Sequence, residues 1–307
     1  MDFFNWVMAP LYYATSGILI VFDNLFNGVL GVSEGWSWAF AIIGLTIVIR
    51  TLLIPLFVKQ IKNSRNLQLL QPKVKELQKK YGHDRERLTQ ETMKLYKDTG
   101  TNPLASCFPL LLQMPIFLAL FRTLNEAAHG KGLGFLSTEQ AASLRDGVLF
   151  GGVKISDSFT SADTVYTQVV AGLLVLLMTI TTFTTQRQLM RKNMPESALT
   201  GQYAQTQKIM LYVLPLVFAV GGIAFPIGVL LYWSTSNLWT MGQQFYVIRN
   251  NPTPGTPAYE AKQARVAKRG HAAPTESSAV ATEPETPKPT PPRVQPKKQS
   301  RSKRKRR

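Results

Sequence analysis

The sequence predicts an all-α integral membrane protein. Five transmembrane helices form its core, with a cytoplasmic helical hairpin and a disordered basic C-terminal tail. Three observations predict this. The 307 residues include 35 Lys or Arg against 18 Asp or Glu, a net charge of +17. Residues 209–248, 40 in all, carry no charge. The 59 residues that follow hold 15 basic residues and 10 prolines. A water-soluble globule does not segregate its charge in this way, so a plain cytosolic enzyme is excluded. The single cysteine, Cys107, excludes an intrachain disulfide. His83, His129 and His271 lack the paired spacing of a metal-binding helix.

Residues 1–35 read as an extracytoplasmic segment. Pro10 breaks its apolar run, and from Leu11 onward the helical wheel has two faces. Leu11, Ile18, Leu19, Phe22, Leu25, Phe26 and Val29 share one; Ser16, Asp23, Asn24 and Asn27 share the other. That pattern suits a helix lying in the membrane interface. No Lys or Arg precedes Arg50, so the segment lacks the basic start of a signal peptide.

A bilayer core of about 30 Å takes about 20 apolar residues in a helix. Spans are predicted at 36–58, 104–124, 165–185, 206–222 and 224–248, with Gly221, Gly222 and Pro226 turning the last pair. Lys and Arg then set the orientation. Segments 59–103, 186–208 and 249–307 carry 11, 4 and 15 of them. On the other side, 1–38 carries none and 125–164 carries 3. The expectation is a multi-pass plasma-membrane protein with its N-terminus outside and its tail in the cytoplasm.

Segment 59–103 reads as a helical hairpin with a docking role. Ile61, Leu67, Leu70, Val74, Leu77 and Tyr81 mark its first helix, which Pro72 interrupts. Gly82-His83-Asp84 turns the chain and Asp84 caps the second helix. Its basic excess would also attract anionic lipid.

Arg50 carries the functional argument. It lies 14 residues into a 23-residue apolar run, and no predicted span offers a carboxylate. A charge at that depth costs about 2.5–3.5 kcal/mol on insertion scales. Snorkelling to the cytoplasmic interface is one way out. A water-containing cavity lined by neutral polar groups is the other. Thr46, Gln113, Thr179, Thr181, Thr182, Gln186, Tyr232, Trp233, Ser234, Ser236 and Asn237 could line it. Such a groove would let a polar or acidic segment cross while its apolar neighbour slides into lipid. A small-solute channel or transporter would also explain the arginine. An intramembrane protease would need a Ser/His, paired-Asp or metal set, which the spans lack.

Several stretches together resemble the YidC family of membrane protein insertases. They are Ile49-Arg50 with Pro55, Leu70-Gln71-Pro72-Lys73, Lys80 to Asp84, Asn102-Pro103-Leu104, Gln113 to Phe121, and Phe225-Pro226-Ile227-Gly228 through Tyr232-Trp233 to Asn237. The resemblance covers about residues 36–248. It implies an insertase and chaperone of nascent membrane proteins, alone or beside the Sec translocon, without cofactor, and active as a monomer. It also implies an intramembrane groove closed to the outside and open to cytoplasm and lipid. By motif position Arg50 is the groove arginine, Thr46, Tyr232 and Trp233 touch substrate, and Gln186 is a polar groove position. The missing extracytoplasmic domain and N-terminal lipoprotein cysteine suggest the actinobacterial type. The last 11 residues hold 8 basic ones, among them Lys303, Arg304, Lys305, Arg306 and Arg307. Ribosomal RNA or anionic lipid is the polyanion expected for them.

Overall fold

The computed structural model describes residues 3–102, 108–194 and 201–268. Every regular element among them is a helix, save one isolated antiparallel bridge between Val148 and Lys154. Residues 1–262 form one compact unit and 263–307 a second, of which 263–268 are described.

α1 runs Phe3–Asp23 and ends in a π-helical turn, Asn24–Val29. It continues through Pro10, which corrects the expected break. Apolar surroundings favour an unbroken helix around an interior proline. α1 buries residues from both of the faces read from sequence. Met8, Tyr12, Thr15, Ser16 and Leu19 are buried, while Phe3, Trp6, Val7 and Val21 are exposed. Thr15 and Ser16 can be buried because their hydroxyls donate to the carbonyls of Leu11 and Tyr12 in the preceding turn.

α2 spans Glu34–Leu52 and α3 spans Ile54–Tyr81. The chain breaks at Leu53, not beyond Val58, so the first hairpin helix starts five residues earlier than expected. Pro55, in the first turn of α3, has no N–H to continue the α2 ladder. Pro72 lies inside α3 and does not interrupt it. α4, Arg85–Asp98, opens on the Asp84 carboxylate, which accepts from Arg87 N at 3.0 Å.

α5 covers Phe108–Ala128, α7 Val165–Asn193, α8 Gly201–Gly222 and α9 Ile227–Asn250. α9 packs between α7 and α2. Among the described residues, three helical stretches are long and apolar enough to cross a membrane: Phe3–Val29, Glu34–Leu52 and Val165–Asn193. Gln207–Gly222 is a shorter apolar helix. The first of the three lies outside the five predicted spans. α9 is more polar because it carries Ser234, Ser236, Asn237, Gln243 and Gln244.

The 125–164 connection is a folded cap. α6, Thr138–Asp146, begins with a reciprocal capping box between Ser137 and Gln140. Trp38 Nε1 donates to Ser143 Oγ at 3.0 Å. The first two N–H groups of α9, from Ile227 and Gly228, donate to the carbonyls of Asp157 and Ile155 at 2.8 and 3.0 Å. Leu136, Leu144 and Ile155 join Trp38, Leu45, Leu120 and Tyr232 in the main core.

The tail was expected to be disordered from 249. α9 instead runs to Asn250, and α10 forms over Pro257–Lys268. Asn193 Oδ1 accepts from Thr253 N at 2.9 Å and Thr256 donates to Thr253 O, so Thr253 and Thr256 are buried. Lys303 to Arg307 lie outside the described residues.

Candidate intramembrane polar site

Arg50 lies in the last turn of α2 and is only 9 % exposed. The helix ends two residues later, at Leu52, where the Leu53 N–H donates to the Ile49 carbonyl at 3.1 Å. The Arg50 Nε donates to Ser236 Oγ on α9 at 3.0 Å, and Nη2 donates to the same oxygen. The guanidinium carbon also lies 5.6 Å from the centre of the Phe57 ring on α3. Among the described residues no carboxylate forms a salt bridge with it.

One turn before Ser236, Tyr232 is 3 % exposed, and its hydroxyl accepts from Gln113 Nε2 on α5. Among the described residues Gln113 Oε1 is buried without a hydrogen-bond partner. Asn237 reaches the other way, donating to Thr182 Oγ1 at 2.9 Å and Met178 O at 3.3 Å on α7. α9 thus presents polar groups to α2, α5 and α7 within two turns. Beside them lies an aromatic layer. Trp233 sits 5.3 Å from Phe117, 4.8 Å from Phe218 and 5.9 Å from Phe225 between ring centres.

The structure therefore brings Arg50, Ser236, Tyr232 and Gln113 to facing surfaces of α2, α5 and α9. Trp233 belongs to the adjoining aromatic layer. Thr46 is buried, but its hydroxyl donates to Ile42 O of its own helix at 2.7 Å. Gln186 lies one turn beyond Thr182 on α7, half-buried and outside this network. Sequence reasoning missed Phe57, because it ran the helix on to Val58. It also missed the aromatic layer, although Gln113, Phe117 and Phe121 recur every four residues. No group of three or more His, Cys, Asp or Glu that could hold a metal occurs among the described residues.

A family model described as "60Kd inner membrane protein" matches residues 29–254. The chain belongs to the YidC family of membrane protein insertases. A YidC membrane protein insertase of Streptomyces avermitilis is 45 % identical over 86 % of this chain and 63 % of its own length. One from Tropheryma whipplei is 36 % identical over 86 % of this chain and 91 % of its own. The chain thus spans less than two thirds of the Streptomyces relative. A crystal structure of an active YidC insertase with its first transmembrane domain resolved aligns at a TM-score of 0.48 and 23 % identity. That alignment covers 80 % of this chain and 47 % of the other. Family membership and the apolar helices make the chain a multi-pass bacterial membrane protein, and it is not an enzyme.

Proposed function

We propose that this protein inserts and helps fold newly made membrane proteins through an intramembrane polar groove containing Arg50. The observation that carries the reading is the Arg50–Ser236 contact. A nearly buried guanidinium is held by a neutral hydroxyl and faces an aromatic ring, so its charge is not cancelled by a carboxylate. A partly desolvated, uncancelled cation attracts carboxylates more strongly than one in water. Lowering the cost of taking an acidic or polar segment out of water is what an insertase has to do. Tyr232, Gln113 and Ser236 would hydrogen-bond the passing segment. Thr46 and Gln186 would extend the polar surface, and Trp233 with its aromatic neighbours would receive the apolar part.

Around this groove we place five spans, built on α2, α5, α7, α8 and α9, with the N-terminus outside and the C-terminus in the cytoplasm. The charge asymmetry of the loops supports that orientation. α1 lies along the outer interface in this arrangement. Its first turn reaches Arg122 through Asn5, and its last residue accepts from Ser37 at the start of α2. Both are near the ends of helices that adjoin the outer cap. α3 and α4 form the docking hairpin. The basic tail, including Lys303 to Arg307, serves ribosomal RNA or anionic lipid, and the Sec translocon is a partner for some substrates.

A small-solute channel or transporter is the competing reading. Photocrosslinking from position 233 to a ribosome-bound single-span nascent chain separates them. The insertase reading expects an adduct that appears only while the nascent span is entering the membrane. Solute flux in liposomes without any such adduct would overturn it.

A further inference from the structure

Two buried polar atoms beside the Arg50 site are left unpaired. Among the described residues, Gln113 Oε1 and Trp239 Nε1 are the buried side-chain atoms of this kind without a hydrogen-bond partner. Folded proteins pair nearly all such atoms, so each of these points to a partner that the fold itself does not supply. The two are complementary. An amide oxygen accepts only, and an indole N–H donates only.

Trp239 lies on α9 about one turn beyond Ser236, on the side away from the cap. It follows Tyr232 by seven residues, which returns it to within about 20° of the same helix face. Tyr232, Ser236 and Trp239 therefore share one stripe of α9. Arg50 meets the middle of that stripe at Ser236, and Gln113 meets its first residue at the Tyr232 hydroxyl. The unpaired acceptor thus stands at one end of the Arg50–Ser236 contact and the unpaired donor at the other. From Tyr232 to Trp239 the helix rises about 10 Å. An extended chain at about 3.3 Å per residue covers that in roughly three residues.

We propose that Trp239 is a substrate-binding residue of the groove, paired in this role with Gln113. Its indole N–H donates to a backbone carbonyl of an entering extended segment, and a backbone N–H about three residues along donates to Gln113 Oε1. The stretch between them lies against Arg50. The inference rests on the insertase reading above. Every peptide unit except that of proline carries both backbone groups, so the pair holds a segment whatever its sequence, while Arg50 favours acidic ones. Gln113 comes one turn before Phe117 on α5, and Trp239 comes after Trp233 on α9. Both therefore lie on the side of the aromatic layer away from the cap, and the segment meets them without crossing that layer.

The test uses the full-length protein in liposomes, with the Trp239 indole replaced by benzothiophene. Sulfur then stands where the N–H was, so the ring keeps its size and loses its donor. The probe is a single-span polypeptide with an acidic or a neutral translocated tail. Insertion is expected to fall roughly threefold to tenfold, the weight of one hydrogen bond, and equally for both tails. Trp239→Phe is expected to show the same equal loss. The melting temperature of the substrate-free benzothiophene protein is expected to hold or rise, because an unpaired buried donor has been removed. Insertion at the native rate by that protein overturns the role of Trp239. A loss confined to the acidic tail overturns it too, as does a lower melting temperature without substrate, which would mean that the N–H is already paired. The groove stands in each of these cases if position 233 still crosslinks to the inserting chain. No adduct at 233 while the chain inserts overturns the groove reading, and the role of Trp239 falls with it.

Discussion

Ser236 is the residue on which Arg50 depends most directly. Hydrogen bonds to charged groups contribute about 1.5–3 kcal/mol, and their loss strands a buried donor. Ser236→Ala is expected to lower insertion of an acidic-tailed substrate roughly tenfold, with a lower melting temperature in detergent. Ser236→Thr keeps the hydroxyl and is expected to restore much of both. Gly228 makes a different kind of prediction. A Cβ there would stand 2.8 Å from Ile155 Cγ2, 3.3 Å from Ile42 Cδ1 and 3.4 Å from Leu124 Cδ1. Gly228→Ala therefore overpacks the place where the cap, α2, α5 and α9 meet, at an expected cost of about 1–3 kcal/mol. Thermal unfolding in detergent checks it. A melting temperature equal to that of the unmodified protein would mean that the cap gives way freely at Ile155.

At the scale of elements, two connections hold helices whose ends would otherwise lack partners. Asn193 at the end of α7 accepts from the buried Thr253 N–H after α9. Asn193→Ala leaves that donor unpaired, at about 1–3 kcal/mol. Faster proteolysis within residues 251–262 is the expected outcome, with cleavage elsewhere unchanged. The cap offers a pH test. Burial holds the Asp157 carboxyl above its ordinary range, with the nearby Asp163 acting in the same direction and Lys154 opposing. A raised pKa means that the folded state favours the proton. The stability this brings is complete below the ordinary value, near pH 4, and is lost as pH rises through the folded value. Asp157→Asn should therefore melt with the native protein at low pH and slightly above it at pH 7. An Asn variant that melts lower at pH 7 would contradict this.

For the whole molecule, the parts legible in sequence were those written in local chemistry. The Asp84 cap, the break before α9 at Pro226 and the lone charge at Arg50 each follow from residue type and position. The misread parts depend on tertiary surroundings. Pro10 and Pro72 sit inside continuous helices, where the turns on either side carry the helix past the missing N–H. Ser16 faces inward because it donates to Tyr12 O and accepts from Phe135 N of the cap. The cap itself has no long periodic run, since α6 has nine residues. The start of the tail is ordered by Asn193, 60 residues away in sequence. The site was legible in its polar residues on α2, α5 and α9. The Phe57 ring over Arg50 was not, because that depended on where α2 stops.

The central claim is that the uncancelled charge of Arg50 draws polar, acidic segments into the bilayer. Its most direct test measures insertion of one single-span substrate, with an acidic or a neutral translocated tail, in cells depleted of the native protein and supplied with Arg50→Ala or Arg50→Lys. Arg50→Ala is expected to lose roughly tenfold or more for the acidic tail and much less for the neutral one, while Arg50→Lys keeps part of the activity. Insertion of the acidic-tailed substrate at the native rate by Arg50→Ala would contradict the account.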